Sequence, residues 1–418
     1  MALDSPTSPG IYNTNNFTQD LVVKDFASMI TRLMPNGTAP LFAITEQFKN
    51  VKTATSTEHG FFAKTMVFPE FALTANTTDT ATSLTVNDVS NLIPGMIFRS
   101  QATGENIIIN QVTSGTTVSV TRNIGGGAAA IDISTAAPEF YQVGNASEEA
   151  SLRPNALAIN PVRLSNLTQI FRNSYAISGS ADAVAVIAGD DTAAENERDG
   201  ATFHATAIET ALLFGKKSQG SRNGQPFRTM DGLIATIGNL AYYPSSYSDP
   251  NVYTADPAGT SQTDLEDMLD PVFNQVTDFS AANHRLLFVG GGALRVINQI
   301  CMLNGEYKLV DGQTTWGLQF KTLKFARGEF KMIEHPLFNT NKYWTEMALC
   351  VDPSSFELAY LGGRKTQLKL FNERGATVAQ DNGIDAYGGT LTTEATCLIK
   401  NPPANAVVYG LKKALKNA

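Results

Sequence analysis

The chain has 418 residues, a net charge of −8 and 17% charged side chains against 43% hydrophobic ones. The length suits roughly two or three domains. The acidic balance argues against a DNA-binding protein that works through a broad basic face, and so low a charged fraction fits a surface covered by neighbouring subunits. Cys301, Cys350 and Cys397 lie far apart with no C-x-x-C pair. That argues against a disulfide framework or a zinc knuckle and fits buried thiols in a reducing compartment. No apolar run reaches the ~20 residues of a transmembrane helix. The opening MALDSPTSPGIYNTNNFTQD has neither the basic start nor the apolar core of a secretion signal.

Residues 1–17 are polar and rich in Pro, Asn, Ser and Thr, and read as an extended arm. In TQDLVVKDFASMITRLMPNG, Val22, Phe26, Met29, Ile30 and Leu33 recur at helical spacing. Pro35-Asn36-Gly37 ends the run, which predicts a helix of about four turns. From Glu46 to Ala72, aromatic and β-branched residues mix with charges at no helical period, and the same texture returns over 137–166. Both stretches read as long extended strands. Pro-Glu-Phe occurs in each, at 69–71 and at 138–140; the two arms pair as one antiparallel hairpin, or the recurrence is chance. Between them, alternating runs broken at Pro94-Gly95 and Ser114-Gly115 predict a small β-barrel or sandwich over 75–136, inserted at the hairpin tip.

DTAAENERDGATFHATAIETALLFGKK is the strongest helix. Thr192 and Glu195 offer a capping box. Glu195, Glu197 and Asp199 gather at the positive end of the dipole, and Lys216 and Lys217 at the negative end. Phe203, Ala207, Ala211 and Phe214 form the expected apolar stripe, and Gly200 weakens the helix by about 1 kcal/mol relative to Ala. A loop-rich piece, 226–262, precedes an α/β unit. That unit holds a helix in LEDMLDPVFNQV, a strand at Leu286–Val289, a helix after Gly292, a strand pair in TLKFARGEFKMIEHPLF and a further strand in WTEMALCVDPSSFELAYL. Strands return at GTLTTEATCLIK and NAVVYGLKKAL.

Gly290-Gly291-Gly292, between strand and helix, raises the question of a phosphate cradle. A G-x-G-x-x-G fingerprint counted from Gly290 puts Arg295 where the third glycine belongs. The glycines read instead as a sharp turn using glycine's access to positive φ. His59, His204, His284 and His335 are scattered, with no H-E-x-x-H and no paired face. His204 reads as a packing or surface residue. No G-x-S-x-G elbow occurs, and Glu148-Glu149 reads as a solvated loop pair rather than an acid/base couple. Lys216-Lys217, Arg364-Lys365 and Lys412-Lys413 are not interleaved with aromatics. The sequence points to no enzyme site, no cofactor and no metal.

What remains is an α+β chain whose order of parts resembles the major capsid protein of tailed bacteriophages, the Hong Kong 97-type fold, over nearly its whole length. TATSLTVNDVSNLIPGMIFRSQATGENIIINQVTSGTTVSVTRN, then VGNASEEAS, then LSNLTQIFRNSYAISGSADAV are similar to a podophage-type branch with a β domain in its extended loop. The resemblance implies an N-terminal arm and helix at 1–45, extended-loop strands at 46–74 and 137–165, and the inserted β domain at 75–136. It implies a peripheral domain at 166–262 and 366–418 with a spine helix at 192–217, and an axial domain at 263–365. It further implies self-assembly through pentamers and hexamers into an icosahedral head around double-stranded DNA held without sequence specificity. A separate scaffold protein, a portal protein and a decoration protein are the other implied partners, with no membrane; assembly is in the host cytoplasm and the product is the virion capsid. Inter-subunit contacts are expected at Phe61, Phe62, Lys64, Phe68, Glu148, Glu149 and Arg153. Lys64 lies in the candidate loop, but nothing matches the family's lysine–asparagine crosslink closely, so non-covalent closure is expected. A nanocompartment shell of the encapsulin type and a soluble α/β enzyme are the alternatives.

Overall fold

A computed structural model describes residues 39–47, 51–64, 69–127, 131, 139–151, 153, 156–158, 160–184, 192–243, 249–254, 284–304, 309–315, 318–325, 328–371 and 385–411. The helices expected in 18–37 and in LEDMLDPVFNQV lie outside them. Two compact units emerge, one of residues 1–61 with 164–418 and one of 62–163.

The larger unit is built on two sheets. The first joins β1 (Val51–Ala54), β10 (Gln169–Ser178), β19 (Phe356–Leu361), β20 (Gln367–Phe371) and β21 (Ala386–Ile399). The fourteen-residue β21 is its spine. One edge of β21 runs antiparallel to β10 from Ala386 to Ala395, and the other is shared by β20 and β19. β1 lies parallel to β19. The second sheet runs in the order β13 (Val252–Thr254), β22 (Ala406–Tyr409), β18 (Ala348–Val351), β14 (His284–Val289), β17 (Gly328–Glu334), β16 (Leu318–Phe325), β15 (Leu309–Thr315). WTEMALCVDPSSFELAYL thus supplies two strands rather than one, and they enter different sheets. The second sheet also takes β13 and β22 from outside 263–365.

Both faces of the second sheet are covered, as apolar runs such as LLFV require. Leu286 and Phe288 of β14 face one core, shared with Leu349, Val351, Leu358 and Ile399. Leu287 and Val289 face another, shared with Val296 and Ile297 of α5 (Gly291–Asn304). Short helices α2 (Gly179–Ala183) and α4 (Leu233–Ile237) complete the unit. So does the hairpin β11 (Ser218–Arg222)–β12 (Gln225–Thr229), whose Asn223-Gly224 turn has φ of 52° and 73°.

α3 (Thr192–Phe214) lies over the first sheet. Its inward face matches the expected stripe only in part: Ala211 and Phe214 pack against the core, but Phe203 is 64% exposed, while Gly200, His204, Ile208 and Leu212 are buried at steps of four. His204 Nδ1 bonds Asn173 Oδ1 at 2.8 Å and its Nε2 bonds Thr393 Oγ1 at 2.7 Å, tying the helix to β10 and β21. Gly200 is a packing contact, since a Cβ there would stand 3.3 Å from Tyr175. Thr192 opens the helix, and Glu195 pairs with Arg198 at 3.2 Å. A second helix, α1 (Pro40–Gln47), was not expected; it follows the helix expected in 18–37 and runs two residues into the stretch expected to be extended from Glu46. Its first free amides, on Leu41 and Phe42, each donate to the Glu209 carboxylate at 2.8 Å.

The smaller unit is a closed barrel of β3 (Glu70–Ala72), β8 (Glu139–Asn145), β5 (Met96–Ser100), β6 (Asn106–Ser114), β7 (Thr117–Ile124) and β4 (Ser83–Thr85), in that order. A Leu73–Val86 bridge closes it, with Thr74 N donating to Thr85 O at 2.9 Å and Asn87 N to Ala72 O at 3.0 Å. The barrel is wider than 75–136, because β3 and β8 belong to it. The repeated Glu-Phe is a cross-strand pair: Phe71 sits opposite Phe140, with ring centroids 4.9 Å apart, inside a core shared with Phe98 and Ile107. The buried Glu105 accepts from Arg122 Nε at 3.1 Å and from the Asn123 amide at 2.8 Å, so the one buried carboxylate among the described residues of this unit is paired.

Candidate assembly surfaces

The strands flanking the barrel's termini make a narrow ribbon, β2 (Glu58–Ala63) against β9 (Val162–Leu167). Thr168 N donates to Thr57 O at 2.8 Å, and Ser165 Oγ to Glu58 Oε1 at 2.6 Å. Gly60 permits the close approach, since a Cβ there would fall 2.3 Å from Leu164 O. A two-stranded ribbon has too little apolar area to bury its own side chains. Phe62 is accordingly 69% exposed and Val162 59%, and Lys64 is exposed as well. Phe61 is half-buried, and Phe68 lies outside the described residues.

Glu148 and Glu149 sit on a turn after β8. Ala146 N donates to Gly95 O at 2.9 Å, Ser151 N donates to Glu148 O at 3.2 Å, and Ala150 carries a positive φ of 60°. Both carboxylates are exposed, as is Arg153. On β3 and β8, Glu70, Glu139, Tyr141 and Val143 point outward, and exposed Arg99 of β5 stands opposite Tyr141; Tyr141 is 45% exposed and Val143 49%. The barrel therefore carries a partly apolar outer strip of mixed charge.

The first sheet of the larger unit carries a mostly basic face. Asn173 and Thr393 face α3, so the alternate residues Arg172, Glu394, Lys369, Glu357 and Lys52 share the other face. Glu394 is ion-paired with Arg364 at 2.9 Å and Arg228 at 3.5 Å. Glu357 is paired with Lys400 at 2.8 Å and Lys52 at 3.1 Å, and His59 Nε2 lies 3.2 Å away. Burial alone would push the Glu357 carboxyl up; hydrogen bonds from Lys400, Lys52 and His59, with the attraction of Lys400, outweigh it and hold the group below the usual range.

Among the described residues no group of three or more His, Cys, Asp or Glu side chains could hold a metal. No described helix is long and apolar enough to cross a membrane. Burial pushes the Cys350 and Cys397 thiols up to about 12, which removes the reactive thiolate. Gly290 to Gly292 form the turn between β14 and α5, but for a different reason than expected. None has a positive φ; a Cβ on Gly290 would lie 2.5 Å from Thr345 O and one on Gly292 2.8 Å from it. The backbone of residues 344–345 leaves no room for a side chain at Gly290 or Gly292.

The family model described as SU10 major capsid protein matches residues 11–412. The chain belongs to that family. The Major capsid protein of Pseudomonas phage PaMx41 is 36% identical over 413 residues, covering 97% of this chain and 96% of that one. Among solved structures, the capsid of a native GTA particle matches with a TM-score of 0.48 at 9% identity, covering 98% of this chain and 99% of its own. Mycobacterium phage Bobi matches at 0.46 and 9%, covering 94% and 96%. The holo-SrpI encapsulin complex from Synechococcus elongatus matches at 0.41 and 11%, covering 62% and 80%.

For a major capsid protein the functional residues are those that meet neighbours. Of the seven named from sequence, the structure sets Phe62 and Lys64 on the ribbon and Glu148 and Glu149 on one exposed turn. The basic sheet face was not anticipated, because its six cations stand on five separate segments and only Arg364 and Lys369 share a run of sequence. Strand parity together with the pairing register would have been needed to find it.

Proposed function

We propose that the chain is the structural subunit of an icosahedral phage head and acts through its own interfaces, without catalysis. The subunits assemble as pentamers and hexamers and enclose double-stranded DNA. The observation that carries this reading is family membership along 11–412, together with 36% identity to a phage major capsid protein over 97% of the chain. In the Hong Kong 97-type arrangement, the ribbon β2–β9 and its approach to β3 and β8 correspond to the extended loop, and the barrel to its inserted domain. α3 and the first sheet correspond to the peripheral domain, and the second sheet with α5 to the axial domain. Phe61, Phe62, Lys64, Phe68, Glu148, Glu149 and Arg153 then meet neighbouring subunits. A separate scaffold protein, a portal and a decoration protein are the remaining partners, and assembly takes place in the host cytoplasm. The net charge of −8 suits a wall that confines DNA without adhering to it.

Sedimentation and negative-stain imaging of the purified chain, alone and with its scaffold protein, test this reading. Closed shells, or pentamers and hexamers that close on adding scaffold, are expected. A stable monomer or small dimer in both conditions overturns it.

A further inference from the structure

We propose that the barrel carries a binding cleft for a neutral saccharide on its outer side, between the 79–82 segment and strands β6 and β7. The cleft has a volume of about 530 Å³, within the range of about 300–1,000 Å³ common to small-molecule sites. All of its residues belong to the smaller unit, so the site is complete in one chain and stands apart from the assembly reading above. Its walls are held before any ligand arrives. Val120, 1% exposed, forms the floor, and its N–H donates to Thr82 O at 2.9 Å. Thr77 and Ile131 exchange backbone bonds at 3.0 and 2.9 Å, and Arg122 Nη1 donates to Thr78 O, so the chain entering the 79–82 wall is tied into the barrel. Opposite it, Asn110 Nδ2 donates to Thr121 Oγ1 at 2.9 Å, which fixes the amide plane and leaves a second N–H for a ligand. Donors and acceptors already oriented lose less entropy on binding.

The lining selects the class of ligand. Most small-molecule sites are walled by apolar and aromatic side chains. Here the hydroxyls of Thr80, Thr82, Ser119 and Thr121, the Asn110 amide and the Asp79 carboxylate take their place. No aromatic is among the described residues that line the cleft, so a nucleobase or other flat ring finds nothing to stack on. Arg122 is already engaged, since its Nε and Nη2 bond the buried Glu105 carboxylate. A phosphate or carboxylate therefore finds no open cation and meets Asp79 instead. Asp79 is exposed and has no partner among the described residues. Its two oxygens can accept from two adjacent hydroxyls of one sugar ring, and the facing hydroxyls and amide both donate and accept, as the rest of such a ring requires.

The test is saturation-transfer NMR on the purified, unassembled full chain. Maltotriose and the trimer of N-acetylglucosamine are the neutral probes, trigalacturonate the acidic counterpart and adenosine the flat ring. At least one neutral trimer should bind with a dissociation constant of about 1–10 mM, the strength of a few exchanged hydrogen bonds. Trigalacturonate should bind about tenfold more weakly, because its carboxylates face Asp79. Asp79→Ala with Asn110→Ala should weaken binding of the neutral trimer about tenfold or more. Both positions are exposed, and an unchanged melting temperature shows the barrel intact. Asp79→Asn, of the same shape without the charge, should bring trigalacturonate within about threefold of the neutral trimer. The proposal is overturned by an absence of transfer to both neutral trimers at about 20 mM, by adenosine or trigalacturonate binding the parent as well as they do, or by substituted chains that bind all four probes as the parent does. A chain that fails to assemble leaves the cleft's reading untouched; a chain that assembles without binding sugar removes this proposal alone.

Discussion

Glu209 shows what a single buried charge does in this fold. It is fully buried on α3, yet its carboxylate accepts from the amides of Leu41 and Phe42 at 2.8 Å each and lies 2.8 Å from His335 Nε2. His335 Nδ1 accepts from the Leu337 amide at 3.2 Å, which leaves its Nε2 to donate to Glu209. Three donors replace the water the carboxylate has lost, and two of them are free amides at the start of α1. Glu209→Ala strands all three and should cost about 3–5 kcal/mol in urea unfolding of the unassembled chain; a loss under about 1 kcal/mol would mean α1 is held by its apolar side alone. His204 gives a pH dependence. Burial lowers its pKa from the ordinary value, and its partners Asn173 and Thr393 are uncharged. The folded value lies below the unfolded one, so the neutral ring's contribution is complete above about pH 6.5 and is lost as pH falls through the folded value. The melting temperature should therefore drop between pH 7.5 and pH 5 by more in the parent than in His204→Gln; equal slopes would discard this account.

At the scale of elements, two glycines separate steric from conformational cost. Gly290 has ordinary backbone angles, but a Cβ would meet Thr345 O at 2.5 Å, a contact between two backbones that neither can relieve alone. Gly125 has φ of 83° and open space around it. Gly290→Ala should cost about 2 kcal/mol or more by forcing β14 and the 344–345 backbone apart, whereas Gly125→Ala should cost about 1 kcal/mol through strain alone. Denaturant unfolding of the two variants distinguishes them, and equal costs would refute the steric explanation. Such contacts are invisible in sequence, which is why the Gly290–Gly292 turn was legible and its cause was not. The strands of the barrel and β14, β16, β17 and β18 were legible because alternation and short apolar runs are local signals. The inner face of α3 was not. It buries Gly200, His204 and Glu209, and each fits only because of a distant partner: Tyr175, Asn173 with Thr393, and His335. Apolarity alone selected Phe203, which faces out. α1 was missed on the same ground, since the carboxylate that anchors its start comes from α3.

For the whole molecule, what the fold leaves uncovered matters as much as what it buries. Phe62 at 69% and Val162 at 59% stand on a two-stranded ribbon, and Tyr343 is 78% exposed. A monomer gains nothing from an exposed phenylalanine, and removing one should leave its stability within about 0.5 kcal/mol. An interface is different. Aromatic anchors that become desolvated carry about 2 kcal/mol or more each, and a closed shell repeats every contact in every subunit, so a small loss per contact is multiplied through assembly. Phe62→Ser should therefore melt with the parent as an unassembled chain and yet form shells at a much higher threshold concentration, with free subunits left in the sedimentation profile. Two measurements on one preparation decide it. A variant that melts early would place Phe62 in the fold of the monomer. A variant that melts and assembles as the parent does would take the ribbon's aromatic out of the contact between subunits.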